Sequence, residues 1–345
     1  MSLRRAARRL SAREPVIAVR NGRAVRAYRV RTLVLHEVVN DRLGGRPIAV
    51  TYSPLTNSSS VFDRRFDGRE LRLGTTGSLR RSNPLLWDRA TESWWQQMTG
   101  EAVVGALAGR RLRPLTAQTL SFAVFRRRYP RGDVLTRAQG RTANVPPNPY
   151  LGYDRPRSRP HLFRGHLDER LPPKERVLLL PGARPPVAVP FARLARRPVT
   201  HLALGGTPVV LLYRRGVASA IDADSAARSR DVGATGAFEA RVGTRALSFG
   251  RRHGAFVDRE TGSRWDVTGR AVGGRLRGAR LRPLRHDEPF WFAAAALMPD
   301  VRVMAAPASH AHPAAPARSA RRASRRGGES RPPRRATPGA SRATR

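Results

Sequence analysis

The chain repeats itself. Residues 88–115 (DRATESWWQQMTGEAVVGALAGRRLRPL) align with residues 258–284 (DRETGSRWDVTGRAVGGRLRGARLRPL) across a one-residue gap, with 17 of 27 aligned positions identical. The matches include Asp88/Asp258, Trp95/Trp265, Gly100/Gly269, Gly105/Gly274 and Pro114/Pro283, which arginine bias cannot generate. Upstream, residues 27–52 lie over 188–213 and share Leu33/Leu194, the glycine pairs 44–45 and 205–206, and Tyr52/Tyr213. Downstream, FAVFRRRYP (122–130) matches WFAAAALMP (291–299). A duplication constrains the fold more than any motif can, because one unit must be buildable twice.

Each copy reads mainly as strand. VIAVR and AVRAY bracket Asn21-Gly22, a strong hairpin signal. PIAVTY and PVVLLY are buried-strand runs of β-branched and aromatic residues. Short helices are expected around 29–35 and 121–129 and at their counterparts. The expected fold is therefore α+β and β-rich: two pseudo-equivalent duplicated lobes of short strands with a few short helices. The expected organisation is a basic lead-in (1–13), a first copy (14–135), a Pro/Asn/Tyr/Arg linker (136–174), a second copy (175–304) and a tail (305–345).

Composition sets the limits of the core. All 75 Leu, Ile, Val and Phe residues lie within 1–304. The basic Ala/Pro/Ser/Arg tail has none, cannot offset its chain entropy by burial, and is expected to be disordered. The formal charge is +41, and Lys174 is the one lysine among 66 basic residues. That imbalance points to GC-rich codon usage rather than to a surface selected for nucleic acid. Charge of this size still predicts non-specific polyanion binding at low salt, and nucleic-acid binding through the arginines stays an alternative, as does a non-catalytic interaction scaffold. With no cysteine, disulfides, thiolate zinc sites and thiol nucleophiles are excluded. No run approaches the ~18 apolar residues of a membrane span. No apolar segment follows the paired arginines of MSLRRAARRLSAREP, so the chain as written is expected in the cytoplasm, export requiring an upstream start. The sequence names no cofactor and no specific partner.

The duplication also supplies an internal control. Residues shared by both copies serve the fold, whereas polar residues confined to one copy are site candidates. On that criterion the first copy carries the site: His36, Glu37, Asn40 and Asp41 face Arg197, Pro198, His201 and Leu202, while Ser53 faces Arg214 and Glu92 faces Gly262. His36, Asn40, Asp41 and Glu92 are the expected ligand-binding residues. His36, Glu37 and Asp41 are candidate metal ligands, although Asn40 stands where His-Glu-x-x-His would need its second histidine. His36, Glu37 and Ser53 are the catalytic candidates, with His36 able to act as base for the Ser53 hydroxyl if the two meet. The competing reading makes His36 and Asp41 structural hydrogen-bonders. Trp95, shared with Trp265, is expected in the core, and Trp94 is the freer of the pair. The glycines at 100, 105 and 109 lack the lysine of a phosphate loop and read as turn geometry.

HEVVND at 36–41, YSPL at 52–55, and Asp88, Arg89, Thr91, Ser93, Trp95 and Gln97 together resemble the domain of unknown function 3179 family of bacteria and archaea. LPPKERV (171–177) and WFAAAALMPD (291–300) resemble its second half. The resemblance covers roughly 15–304 and implies a β-rich fold without an assigned activity; many members are exported or lipid-anchored. It also implies a cysteine where this chain has Ser53 and a glycine where it has Asn57. If that cysteine were a nucleophile or ligand, Ser53 would weaken the role; if it packs, Ser53 costs little.

Overall fold

A computed structural model of the chain describes residues 1–135 and 148–304. Part of the expected linker (136–147) and the expected disordered tail (305–345) lie outside the described residues. Strand outweighs helix, 42% against 11%.

The first copy opens with α1 (Leu3–Ala7), capped by the Ser2 side chain, so the basic lead-in carries a helix that buries Leu3 and Ala6. The hairpin β1 (Pro15–Asn21) and β2 (Ala24–Arg29) leads into α2 (Val30–His36). Asn21 still pairs with Ala24, so the tight loop is Gly22-Arg23, with Gly22 in the left-handed region at φ +58. A meander follows: β3 (Val38–Leu43), β4 (Arg46–Ser53) and β5 (Ser58–Asp63). Next come the small hairpin β6 (Arg65–Phe66) and β7 (Arg69–Glu70), and a sheet of β8 (Leu73–Arg80), β9 (Asn83–Asp88), β10 (Trp94–Gln96) and β11 (Ala102–Val104). The copy closes with β12 (Pro114–Leu115) on β5, β13 (Ala117–Ser121) on β1, α3 (Phe122–Arg128), and β14 (Asp133–Val134) parallel to β2.

The second copy retraces this path. Its hairpin is β15 (Val177–Leu180) and β16 (Val187–Pro190), followed by α4 (Phe191–Arg196). The meander is β17 (Val199–Leu204), β18 (Thr207–Arg214) and β19 (Ala234–Glu239). Then come β20 (Arg241–Val242), β21 (Arg245–Ala246), β22 (Phe249–Arg252), β23 (Ala255–Asp258), β24 (Arg264–Trp265) and β25 (Ala271–Gly273). Helix α5 (Trp291–Leu297) and β26 (Arg302–Val303), parallel to β16, complete it. The counterparts of β12 and β13 shrink to bridges, Phe238↔Pro283 and Leu179↔Asp287. The register shift recurs at the same place, between Trp94 and Trp95 and between Arg264 and Trp265.

The copies are not independent. Phe122 and Phe125 of α3 belong to a core with Val210, Phe238 and Trp265 of the second copy. Phe290 and, from α5, Phe292 join Tyr28, Leu33 and Tyr52 of the first. Both cores therefore draw on the two copies, and α3 also packs on β1 and β13 of its own. The described residues form one compact unit.

Candidate functional site

Polar residues gather around the tight β4–β5 turn, on both faces of the ladder. Alternation assigns the faces: Thr51 pairs with Ser60 and Ser53 with Ser58, while Tyr52 pairs with Ser59 and points the other way. On the first face Gln97 is the hub. Its Nε2 donates to Thr51 Oγ1 (2.9 Å), and its Oε1 accepts from Ser58 Oγ (2.7 Å) and Asn83 Nδ2 (2.8 Å). Asn83 also donates to Thr56 Oγ1 at 3.0 Å. All of these side chains are buried. At the aligned positions the second copy has Leu212, Ala234 and Val267 in place of Thr51, Ser58 and Gln97. The cluster is specific to the first copy, as Ser53 suggested, but it extends to residues the sequence reading had not selected. The signal was present in the same alignment, in the pair Gln97/Val267.

Ser53 is fully buried and its Oγ has no hydrogen-bond partner. The residues of this face are hydroxyls and amides, with no acid or base to activate a nucleophile. His36 lies elsewhere, exposed at the end of α2, and forms no hydrogen bond or ion pair among the described residues. Glu37 follows at φ 52, its carboxyl pushed up by burial, and its backbone is spent on Leu33 and Tyr52. Asn40 clasps the backbone of Leu73, donating to its carbonyl (2.7 Å) and accepting from its amide (3.0 Å). Asp41 accepts from Arg26 and Tyr28 (2.7 Å each) and from the Arg42 amide; although burial opposes it, these partners hold its carboxyl low. Glu92 is exposed in a left-handed turn at φ 54, where the second copy has Gly262. The described residues contain no group of three His, Asp or Glu side chains that could hold a metal ion.

The opposite face is charged and lies where the copies meet. Asn57, at φ 52, accepts from Tyr52 and Arg176 (3.0 Å each) and donates to the Glu288 carbonyl (2.6 Å). Arg176 also holds Asp154 (2.9 Å), which takes Arg230 (2.5 Å) and Ser219 (2.6 Å) as well. Burial acts against the Asp154 charge, but these cations outweigh it and keep its carboxyl low. Nearby, the buried Lys174 donates to the Tyr153 carbonyl and sits 3.6 Å from the Tyr153 ring centre; burial lowers its pKa to about 8. Two cavities of ≈ 20 Å³ each, room for about one water molecule, lie along this face.

Asp287 and Glu288 are its least comfortable members. Both are buried, and burial pushes them up to about 6 and about 7. Here the duplication is reciprocal. Gln118 of the first copy donates to the carbonyls of Thr235 (2.7 Å) and Val267 (2.8 Å) in the second. Asp287, aligned with Gln118, accepts the amide of Ser59, which is the counterpart of Thr235. Where the glutamine has an NH₂ to give, the aspartate offers Oδ2, which is buried and without a partner. The search for polar residues confined to one copy points to the first copy, yet the mismatch Gln118/Asp287, inside RHDEPF, is the same kind of signal in the second.

A cleft of ≈ 410 Å³ opens in the second copy between the turns of β15–β16 and β17–β18. Its floor is apolar, from Leu180, Ala183, Leu204, Val209 and Leu284. Arg184, Arg285 and Arg302 surround it, none in an ion pair with a described carboxylate, and Glu239 at its edge is paired with Arg282 at 2.8 Å. In the first copy the equivalent space is shut: Asn21 Nδ2 donates to the carbonyls of Leu43 (2.9 Å) and Gly44 (3.0 Å), tying the two turns together. A Cβ on Gly44 would meet Ala24 at 3.1 Å, whereas one on its counterpart Gly205 would meet nothing within 4 Å. The longer loop Pro181–Pro186 replaces the tight turn and its asparagine.

The family model DUF3179, described as a protein of unknown function, matches residues 1–301. The chain belongs to the DUF3179 family. No curated protein and no solved structure matches it.

The DUF3179 signature Asp-Arg-x-Thr-x-Ser-x-Trp is a turn held by its aspartate, twice over. Asp88 accepts from Thr91 Oγ1 (2.7 Å) and Trp95 Nε1 (2.9 Å), and Asp258 accepts from Thr261 Oγ1 (2.7 Å) and Trp265 Nε1 (2.8 Å). Ser93 and Ser263 then receive the amides of Leu107 (3.1 Å) and Leu276 (2.9 Å). Gly105 and Gly274, at φ +92 and +85, must lack a side chain, since a Cβ would lie 2.8 and 2.7 Å from the serine Cα. These glycines are turn geometry, as expected, and Trp95 is fully buried. The DUF3179 chain also contains no described helix long and apolar enough to cross a membrane.

Ser53 stands where the family resemblance implies a cysteine. A buried hydroxyl without a partner costs about 1–3 kcal/mol, and a thiol of similar size costs less because it gives up weaker hydration. Ser53→Cys should therefore stabilise the protein by about 1 kcal/mol, read as a raised midpoint in urea with an unchanged slope. A lowered midpoint would show that the Ser53 hydroxyl has a partner in solution.

Proposed function

We propose that this chain is a binding protein for a small amphipathic anion, a carboxylate or similar group on a short apolar body, held in the cleft of the second copy. The observation that carries the reading is the contrast between copies: one scaffold, closed by Asn21 in the first and open in the second. The cleft's ≈ 410 Å³ falls within the range of small-molecule sites, roughly 300–1,000 Å³. Its apolar floor would take the body of the ligand. Three guanidiniums suit a carboxylate, which each can bond through two donors. The first-copy candidates His36, Glu37, Asn40, Asp41, Ser53 and Glu92 have separate surroundings, and the buried cluster beside Ser53 is filled by its own hydrogen bonds.

Calorimetric titration of the full chain with octanoate, with octanol as the uncharged control, tests this reading. Octanoate should bind saturably at physiological salt and octanol at least tenfold more weakly. Arg184→Ala with Arg302→Ala should weaken octanoate about tenfold, the loss of roughly one charge-assisted contact at ~1.4 kcal/mol. Leu204→Trp should block the cleft. Equal binding of acid and alcohol, or binding indifferent to Leu204→Trp, would reject the proposal.

A further inference from the structure

Three arginines meet at a second seam between the copies, away from the cleft. Arg270 and Arg280 face each other across an antiparallel bridge. Arg128, the last residue of α3 and itself buried, reaches Thr268 Oγ1 at 3.1 Å and lies 3.9 Å from Asp266 Oδ2. Asp266 is the carboxylate among them, and its Oδ1 is already taken by Thr268 and by the amide of Arg270.

The first copy shows what the scaffold does without this charge. Its equivalent bridge joins Glu101 to Arg111, closed by an ion pair of 2.7 Å. Leu297 stands at the aligned position of Arg128, and Gln96 at that of Asp266. One bridge therefore carries an attractive pair in one copy and a like-charged pair in the other. Like charges facing each other across a ladder destabilise it, and a buried third guanidinium adds to that cost. Burial first, and then the neighbouring arginines, hold both Arg128 and Arg280 below the usual arginine range. An oxyanion placed among these groups would turn repulsion into shared hydrogen bonding. Codon bias accounts for many exposed arginines, but it does not explain two copy-specific ones, Arg128 and Arg270, meeting beside Arg280.

We propose that Arg128, Arg270 and Arg280 form a binding site for the phosphate group of a small phosphorylated molecule, each donating to its oxygens. The site is separate from the cleft and stands whether or not the cleft binds a carboxylate.

The test is titration of the full chain with pyrophosphate, and separately with a 12-nucleotide single-stranded DNA, in 150 mM salt. Pyrophosphate should bind saturably. Arg270→Glu, which installs the residue found at Glu101 and should pair with Arg280, should weaken it at least tenfold while keeping the thermal midpoint of wild type or raising it. Arg69→Glu, an equal change of charge on an exposed strand of the first copy, should leave pyrophosphate affinity within twofold. Equal losses in Arg69→Glu and Arg270→Glu would reduce the effect to general charge attraction and overturn the site, as would the absence of saturable pyrophosphate binding. DNA binding that pyrophosphate cannot displace and Arg270→Glu does not weaken would likewise count against it.

Discussion

Residues 1–135 and residues 148–304, each produced alone, should fail to fold, and mixing them should restore structure. The reason lies in the shared cores. Phe122 and Phe125 lie in a core drawn from both copies, with Val16 and Leu120 of the first and Val210 and Phe238 of the second, and Phe290 and Phe292 lie in one built mainly from the first. Each buried phenylalanine contributes roughly 1.5–3 kcal/mol. The four together approach the whole stability of an ordinary domain, about 5–15 kcal/mol. Separation also strands charge: Arg176 would lose Asn57, and Ser59 would lose Asp287. Near-ultraviolet circular dichroism of each half, alone and mixed, reads the result. A cooperative thermal transition in either isolated half would show that the shared cores are not required for folding.

The second large effect is a loss of stability as the pH rises through neutrality, centred on Asp287 and Glu288. Burial raises both carboxyls, to about 6 and about 7 in the folded chain. A raised carboxyl binds its proton more tightly folded than unfolded. Its contribution is complete below about pH 4 and disappears as the pH passes through about 6 for Asp287 and about 7 for Glu288. A shift of about two pH units corresponds to roughly 3 kcal/mol for each group. His201 and His286, lowered by burial, act in the opposite direction below their ordinary range. The informative quantity is therefore the difference between wild type and a variant. Asp287→Asn supplies the NH₂ that Gln118 uses at the equivalent position, and it cannot ionise. Relative to wild type it should gain on the order of 3 kcal/mol between pH 4 and pH 7.5 in urea denaturation. Parallel pH profiles for the two proteins would mean that Asp287 stays ionised throughout, with its buried charge offset by Arg285.

The cleft and the arginine seam share an origin: both lie where one copy has departed from a constraint that the other retains. Asn21 locks two turns in the first copy, and its absence opens a cleft in the second. Glu101 neutralises Arg111, and Arg270 leaves the same bridge repulsive. The candidates chosen from sequence were drawn by the same comparison, but only toward the first copy. Asn40 and Asp41 were visible as polar residues unique to one copy; that their bonds close on Leu73, Arg26 and Tyr28 was not, because those partners lie on other strands.

The sequence by itself determined the duplication, the β-rich fold, the short helices near 29–35 and 121–129, the buried Trp95 and the glycine turns. These depend on local periodicity and turn chemistry, which a few neighbouring residues specify. Tertiary structure alone decided that the closing aromatic segments lie in cores shared by the two copies. An apolar helix face records that it must be covered, and not by which sheet. It also decided the burial that raises the Asp287 carboxyl, the isolation of Ser53 and the meeting of Arg128 with Arg270 and Arg280. Each is a matter of which groups share a low-dielectric space, and chain order does not fix that.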